Sequence, residues 1–323
     1  MATAEQIKAL INSHYKENAD QFLTTVLQIA AHEARQGHGS LAQEIRDLIE
    51  KAKKQSSQKN VLVFPQDLNG LIFSQEPEVS FSSLVVNPNL KQRIERIILE
   101  FRQQNKLKGH GLIHRRKILL SGSPGTGKTM TAKVLASELK QLLHIIQMDR
   151  LVTKFMGETS AKLRQIFEKM IEMPGVYLFD EFDAIGGERN MDNDVGEMRR
   201  VLNSFLQFIE NDTSNNLILA VTNNPRLLDK ALFRRFDDVL HYDLPEKNAR
   251  VKLIKNILGT FAGNKFPYEK AAKLADGLSH ADIDNVCRDT IKTSILNDKK
   301  NVTFQLFGEL MKERHSAYNV RKR

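Results

Sequence analysis

Residues 118–129 read Ile-Leu-Leu-Ser-Gly-Ser-Pro-Gly-Thr-Gly-Lys-Thr, and they contain the spacing Gly122-x-x-x-x-Gly127-Lys128-Thr129. Three apolar residues (Ile118, Leu119, Leu120) precede the glycines, and a helix-forming run, Thr131 to Lys140, follows them. Strand, glycine-rich turn and helix opening are the context in which this spacing cradles phosphate. Glycines let the backbone curl with its N–H groups pointing inward, a nest for phosphate oxygens at the positive end of a helix. The candidate binding residues are therefore Gly122, Ser123, Pro124, Gly125, Thr126, Gly127, Lys128, Thr129 and Met130. Lys128 is expected to reach the β- and γ-phosphates and the Thr129 hydroxyl to hold Mg²⁺. A chance match in a chain of this length is on the order of 1% at average residue frequencies, so a glycine-rich surface loop is the weaker reading.

With 323 residues, the chain has room for about two domains and a real core. Its hydrophobic fraction of 41% and charged fraction of 27% are those of a globular protein in water. No apolar run approaches the ~18 residues that span a bilayer, and MATAEQIKAL lacks the layout of a signal peptide. The single cysteine, Cys287, excludes an intrachain disulfide and a cysteine zinc site. The expected location is cytoplasmic, with no membrane partner. A net charge of +9 and a pI near 9.4 raise contact with nucleic acid or acidic partners. Basic residues cluster at 51–59, 106–117 and 321–323. Solvated helix ends and linkers account for them better, because no nucleic-acid motif accompanies the charge.

Periodicity divides the chain into parts. Residues 1–54 read as a bundle of three amphipathic helices, opened by Thr3-x-x-Gln6, by Asp20 and by Ser40-x-x-Gln43. Residues 55–77 read as a linker, polar at first and then rich in Pro, Gly and Ser. An amphipathic helix is expected over 90–107. Strand and helix then alternate, with strands at 117–121, 144–148, 175–180, 217–222 and 238–243, as a parallel sheet with crossovers requires. After Pro245 the alternation stops, and helices at 246–261, 268–276, 280–297 and 303–316 form a small helical domain. The expected class is α/β: a five-stranded parallel sheet domain over 78–244, a helical lid over 245–323, and the helical bundle before them.

Three further segments carry chemistry. Val176 to Asp180 is an apolar run that delivers Asp180 and Glu181 at a strand's C-terminal end, where open α/β sheets place ligands. Asp180 suits Mg²⁺ held through water, and Glu181 suits polarising an attacking water. Leu217 to Thr222 is the next buried strand and ends in Asn223-Asn224 before Pro225, so either amide can orient water or the γ-phosphate, or simply make the turn. Arg234-Arg235 follows. A ring assembly could present these arginines to a neighbour's nucleotide, a contribution worth roughly 10³–10⁵ in rate.

In order and spacing, residues 78–316 resemble the AAA ATPases. The resemblance makes Gly122–Thr129 Walker A, Phe179–Glu181 the end of Walker B, and Thr222-Asn223 sensor 1, which selects Asn223 over Asn224. It makes Arg234 and Arg235 arginine fingers, abutting as in katanin- and spastin-like members. Leu278-Ser279-His280-Ala281-Asp282 resembles the sensor-2 region, with Ala281 against the nucleotide and His280 where glycine is usual. Phe155 and Met156 read as core residues on their own. The resemblance makes them pore loop 1, which grips an extended polypeptide, and makes residues 186–196 a second pore loop. It implies ATP and Mg²⁺ as cofactors, a homo-oligomeric ring, most naturally a hexamer, and a protein substrate. The chain is also similar to bacterial stand-alone AAA ATPases encoded beside a subtilisin-like protease, which implies a separate serine protease as partner. A nucleic-acid motor or loader is the alternative class.

Overall fold

Apolar runs that alternate with helices can satisfy their backbone groups by pairing side by side under a helical cover. A computed structural model describes residue 8 and residues 19–39, 41–45, 47–48, 64, 68, 70–186, 192–225 and 230–319. Its strands are β1 (Ile72–Gln75), β2 (Lys117–Gly122), β3 (Leu143–Gln147), β4 (Val176–Asp180), β5 (Leu217–Thr222) and β6 (Asp238–Tyr242). They form one sheet in the order β1-β3-β4-β5-β2-β6. Strands β2 to β6 are parallel and lie within about one residue of the expected bounds.

Strand β1 departs from the linker expected over 55–77. It runs antiparallel to β3 at the sheet edge, with Ile72 opposite Ile146 and Gln75 opposite Leu143. Ser74 Oγ and His144 Nδ1 share a hydrogen bond of 2.7 Å, and Phe64, Leu68 and Leu71 are buried just before the strand. The anchoring is non-local and the strand has only four residues, so no period of its own announces it.

By its contacts the chain divides into Met1–Val63 and Phe64–Arg323. In the first unit, helix α1 (Ala19–Arg35) buries Thr25, Ala30 and Glu33, and the Glu33 carboxylate pairs with His38 Nδ1 at 2.8 Å. Residues 41–45 and 47–48 are helical. The expected first helix, the polar stretch 51–60 and the basic triplet 321–323 lie outside the described residues.

In the second unit the sheet is covered on both faces, and β4 shows why its sequence is continuously apolar. Val176 and Leu178 point into one core, whereas Tyr177 and Phe179 point into the other. The first core takes helix α2 (Pro88–Arg102), where Asn87 caps the start by accepting from the Leu90 N–H at 2.8 Å. Leu90, Ile94, Ile97 and Ile98 recur at helical spacing on its buried side. The helix expected over 90–107 stops at Arg102 and a short helix resumes at Gln104. Helix α3 (Lys128–Leu139) packs in the same core. Helices α4 (Met148–Lys154), α5 (Thr159–Glu172) and α6 (Asp192–Asn211) cover the opposite face around Phe167, Phe179, Phe182 and Phe205. After β6, helices α7 (Lys247–Leu258), α8 (Tyr268–Leu274), α9 (His280–Leu296) and α10 (Phe304–Asn319) close a core of their own around Ile254, Phe266, Ile283 and Phe307. No described helix is long and apolar enough to cross a membrane.

Phe205 is fully buried, with its ring centroid 5.0 Å from that of Phe179 and 4.6 Å from that of Phe182. Phe205→Ala is expected to cost about 3–5 kcal/mol in urea unfolding. A loss below about 1 kcal/mol would show that the aromatic cluster does not hold α6 to the sheet.

Candidate functional site

The turn after β2 is shaped by two close approaches. At Gly122, with φ of 151°, a Cβ would lie 2.1 Å from the Tyr242 carbonyl oxygen of the neighbouring β6. At Gly125, with φ of 72°, a Cβ would lie 2.6 Å from Ser279 Oγ and 3.0 Å from Ala281 Cβ. Neither position accepts a side chain without backbone movement. The Ala281 N–H donates to the Gly125 carbonyl at 3.0 Å, so the start of α9 rests directly on the loop. Ser279 caps α9 reciprocally with Asp282, which fixes the direction in which the helix enters. Inside the loop, Thr126 Oγ1 donates to the Ser123 carbonyl at 2.7 Å. Beneath it, Tyr242 Oη donates to Thr131 Oγ1 at 2.8 Å.

Lys128 is the first residue of α3, and its buried Nζ donates to the carbonyls of Gly122 at 2.7 Å and Ser123 at 2.8 Å. Burial pushes its pKa down to about 8, against the pull of Asp180 and Asp183. Asp180 ends β4, and burial raises its carboxyl above the usual range, although the Glu181 N–H and the Lys128 charge act the other way. Glu181 has φ of 54°, a left-handed conformation uncommon for a residue with a side chain. Its carboxyl is also raised, first by burial and then by the charge of Asp149 and a hydrogen bond with it, followed by Asp180 and Asp183. Asp149 and Asp183 are the members of this group that the sequence reading missed. Asp183 was visible three residues after Asp180, and its carboxylate accepts from the Asn223 N–H at 3.3 Å.

Lys128, Asp180 and Glu181 line one cavity of about 1030 Å³. Pro124, Gly125, Gly127, Lys128, Thr129 and Met130 form one wall, with Asp180, Glu181 and Asn223 beside them. Of the two adjacent asparagines it is Asn223 that reaches the cavity; the Asn224 N–H turns back to Thr222 Oγ1 at 3.1 Å. Residues 82–85 and Val221 line it further, and the helical region adds Leu253, Asn256, Ile257, His280, Ala281, Asp284, Arg288 and Ile291. Loop amides at a helix start, a lysine and an excess of carboxylates fit a polyphosphate with a hard divalent cation. Thr129 and Asp180 offer the oxygen donors that Mg²⁺ takes.

Other candidate residues lie elsewhere. Arg234 and Arg235 are exposed and line no part of this cavity; Arg235 pairs with Glu210 at the end of α6. Phe155, at the end of α4, is part-buried against the core, with Lys154 and Lys162 Nζ each 5.2 Å from its ring centroid. Met156 beside it is 56% exposed. Of the expected second pore loop, 186–196, residues 187–191 lie outside the described residues, and 192–196 form the start of α6.

Comparison with known proteins agrees with this arrangement. The family described as "ATPase family associated with various cellular activities (AAA)" matches residues 118–244. An uncharacterized AAA family ATPase of Sinorhizobium fredii is 32% identical over 97% of this chain and 96% of its own length. A putative 26S proteasome regulatory subunit homolog of Methanothermobacter thermautotrophicus is 33% identical over 62% of this chain and 55% of its own. An ATP-dependent zinc metalloprotease FtsH of Helicobacter pylori is 31% identical over 74% of this chain, which spans 39% of that protein.

The position of Lys128 has a consequence for stability. An unfolded lysine titrates near 10.5, so between about 8 and 10.5 the unfolded chain binds more protons and stability rises with pH. Relative to Lys128→Met, the nucleotide-free wild type is therefore expected to gain on the order of 1–3 kcal/mol between pH 7 and pH 10. Urea midpoints of both proteins at pH 7, 8.5 and 10 check this, and a constant difference would contradict it.

Proposed function

The chain belongs to the AAA family of ATPases, and from that membership we propose that it hydrolyses ATP as a ring-forming motor that remodels or unfolds protein substrates. The observation that carries this reading is a hydrolysis site with one component out of place. Lys128, Thr129, Asp180, Glu181 and Asn223 converge on one cavity, whereas Arg234 and Arg235 stand exposed outside it. A neighbouring copy in a ring, most simply a hexamer, would supply the arginines.

In this reading the loop amides of 122–127 hold the phosphates, and Lys128 exchanges its bonds to the Gly122 and Ser123 carbonyls for phosphate oxygens. Thr129 and Asp180 would hold Mg²⁺, which supplies charge neutralisation at the phosphates. Glu181 draws the proton from the attacking water, a task suited to a carboxylate whose pKa is raised. Asn223 orients that water, and the neighbour's arginines stabilise the charge that develops on the transferred group. Met156 and Phe155 supply the grip on an extended polypeptide, Met156 by its exposure and Phe155 by its aromatic face. The first unit would bring substrate or a separate serine protease to the ring. Only the net charge of +9 supports the nucleic-acid alternative.

Glu181→Gln is expected to lower phosphate release at least about 100-fold while nucleotide still binds; unchanged turnover would remove Glu181 from this role. Sharing of the site between copies has its own test. The Arg234→Ala/Arg235→Ala double variant and Glu181→Gln should each be nearly inactive. A mixture should recover measurable turnover, because some interfaces then pair an intact Glu181 with intact arginines. No recovery at any mixing ratio would count against arginines acting in trans.

A further inference from the structure

The mechanism above uses the phosphate end of the cavity and leaves the other end without a recognition element. Since Lys128, Thr129 and Asp180 claim the phosphates, the base of a bound nucleotide has to lie toward residues 83–85, α7 and the start of α9. Leu253, Ile257 and Ile291 supply apolar surface there, which suits the flat face of any base and distinguishes none, while Asp284 and Arg288 beside them are paired with each other at 2.6 Å. His280 is different. It lines the cavity, and both its ring nitrogens are shielded from solvent without a well-formed hydrogen bond. An imidazole whose nitrogens are cut off from solvent, with no more than a loose contact to the Val85 backbone, is costly, and it leaves a nitrogen that calls for a partner the protein itself does not provide.

We propose that His280 reads the edge of the nucleotide base and sets the preference for a 6-aminopurine over a 6-oxopurine. This deepens the ATPase reading above and rests on it. The ring is held at the wall because its backbone is the first turn of α9, fixed by the Ser279–Asp282 capping box and by the Ala281 N–H on the Gly125 carbonyl. Burial holds the imidazole below its ordinary pKa, so it is neutral at pH 7, with one nitrogen a donor and the other an acceptor. The Val85 backbone beside the ring acts in the opposite direction, favouring a proton on the nitrogen nearest to it. The nitrogen left over is an acceptor. It matches the exocyclic amino group of adenine and opposes the carbonyl oxygen of guanine, which can only accept. A buried acceptor facing another acceptor costs more than a missing bond, so one side chain can discriminate between the two bases.

The test compares ADP and GDP, which report binding without hydrolysis, on the full-length wild type and on three variants by titration calorimetry. The ratio of the two dissociation constants is taken within each protein, so an inactive fraction cancels. The wild type should prefer ADP, and His280→Gly should lose about fivefold or more of that preference. His280→Gln, whose amide oxygen restores an acceptor, should stay within about twofold of wild type. His280→Phe fills the space without an acceptor and should behave like His280→Gly. If His280→Gly keeps the wild-type ratio, or if His280→Phe does, the base-reading role is overturned while nucleotide binding stands. If the wild type binds neither nucleotide, the ATPase reading falls and this inference falls with it.

Discussion

Two glycines without side chains let three parts of the chain meet at one turn. Gly122 admits the backbone of β6 at Tyr242, and Gly125 admits the start of α9 at Ser279 and Ala281. Each approach is shorter than a Cβ allows, and each residue also has a backbone conformation that L side chains rarely adopt. The glycine spacing that curls the amides inward is therefore also what ties the sheet to the helical region. Phosphate contact and architecture are the same constraint at these residues. Gly127 is the contrast: nothing lies within 4 Å of its added Cβ, so its φ of 102° alone calls for glycine.

This double use explains what could be read from the sequence and what could not. The central strands β4 and β5 were legible because burial on both faces writes itself as continuous apolar runs, as in Val176–Phe179 and Leu217–Val221. The phosphate loop was legible because its conformation demands glycine at fixed intervals. Strand β1 was not, since its stability comes from backbone pairing with β3 and from the Ser74–His144 bond, 70 residues apart. Asp149 was not legible for a related reason. Two residues after β3, it ordinarily reads as an acid in the first turn of a helix, and only the adjacency of β3 and β4 brings it to Glu181. Local pattern shows what a residue's neighbours in sequence require of it, whereas sheet order decides which distant residues share a site.

Asn223 and Arg235 show both limits together. Chemistry alone could not choose between Asn223 and Asn224; the family pattern chose Asn223, and the cavity includes that residue. Arg234 and Arg235 could be recognised as a pair, but their pattern says nothing of a partner, and within the chain Arg235 is engaged by Glu210. A contact made between copies leaves no mark on one copy's periodicity.

The electrostatics of the cavity follow from the same packing. Drawing β2, β3, β4 and β5 together at their C-terminal ends gathers Asp149, Asp180, Glu181 and Asp183 around a single lysine in a partly desolvated space. Burial works against both signs of charge, lowering Lys128 and raising Asp180 and Glu181. Mutual attraction between Lys128 and Asp180 recovers only part of that cost. In the function proposed above, a phosphate chain with a divalent cation would relieve this arrangement, the phosphates answering the lysine and the loop amides and the cation answering the carboxylates. Glu181 is not among the residues that would hold the cation. Its left-handed backbone turns it away from the path of β4, and its raised pKa fits it to take a proton. In the function proposed above, metal binding falls to Asp180 and proton transfer to Glu181, adjacent residues at one strand end.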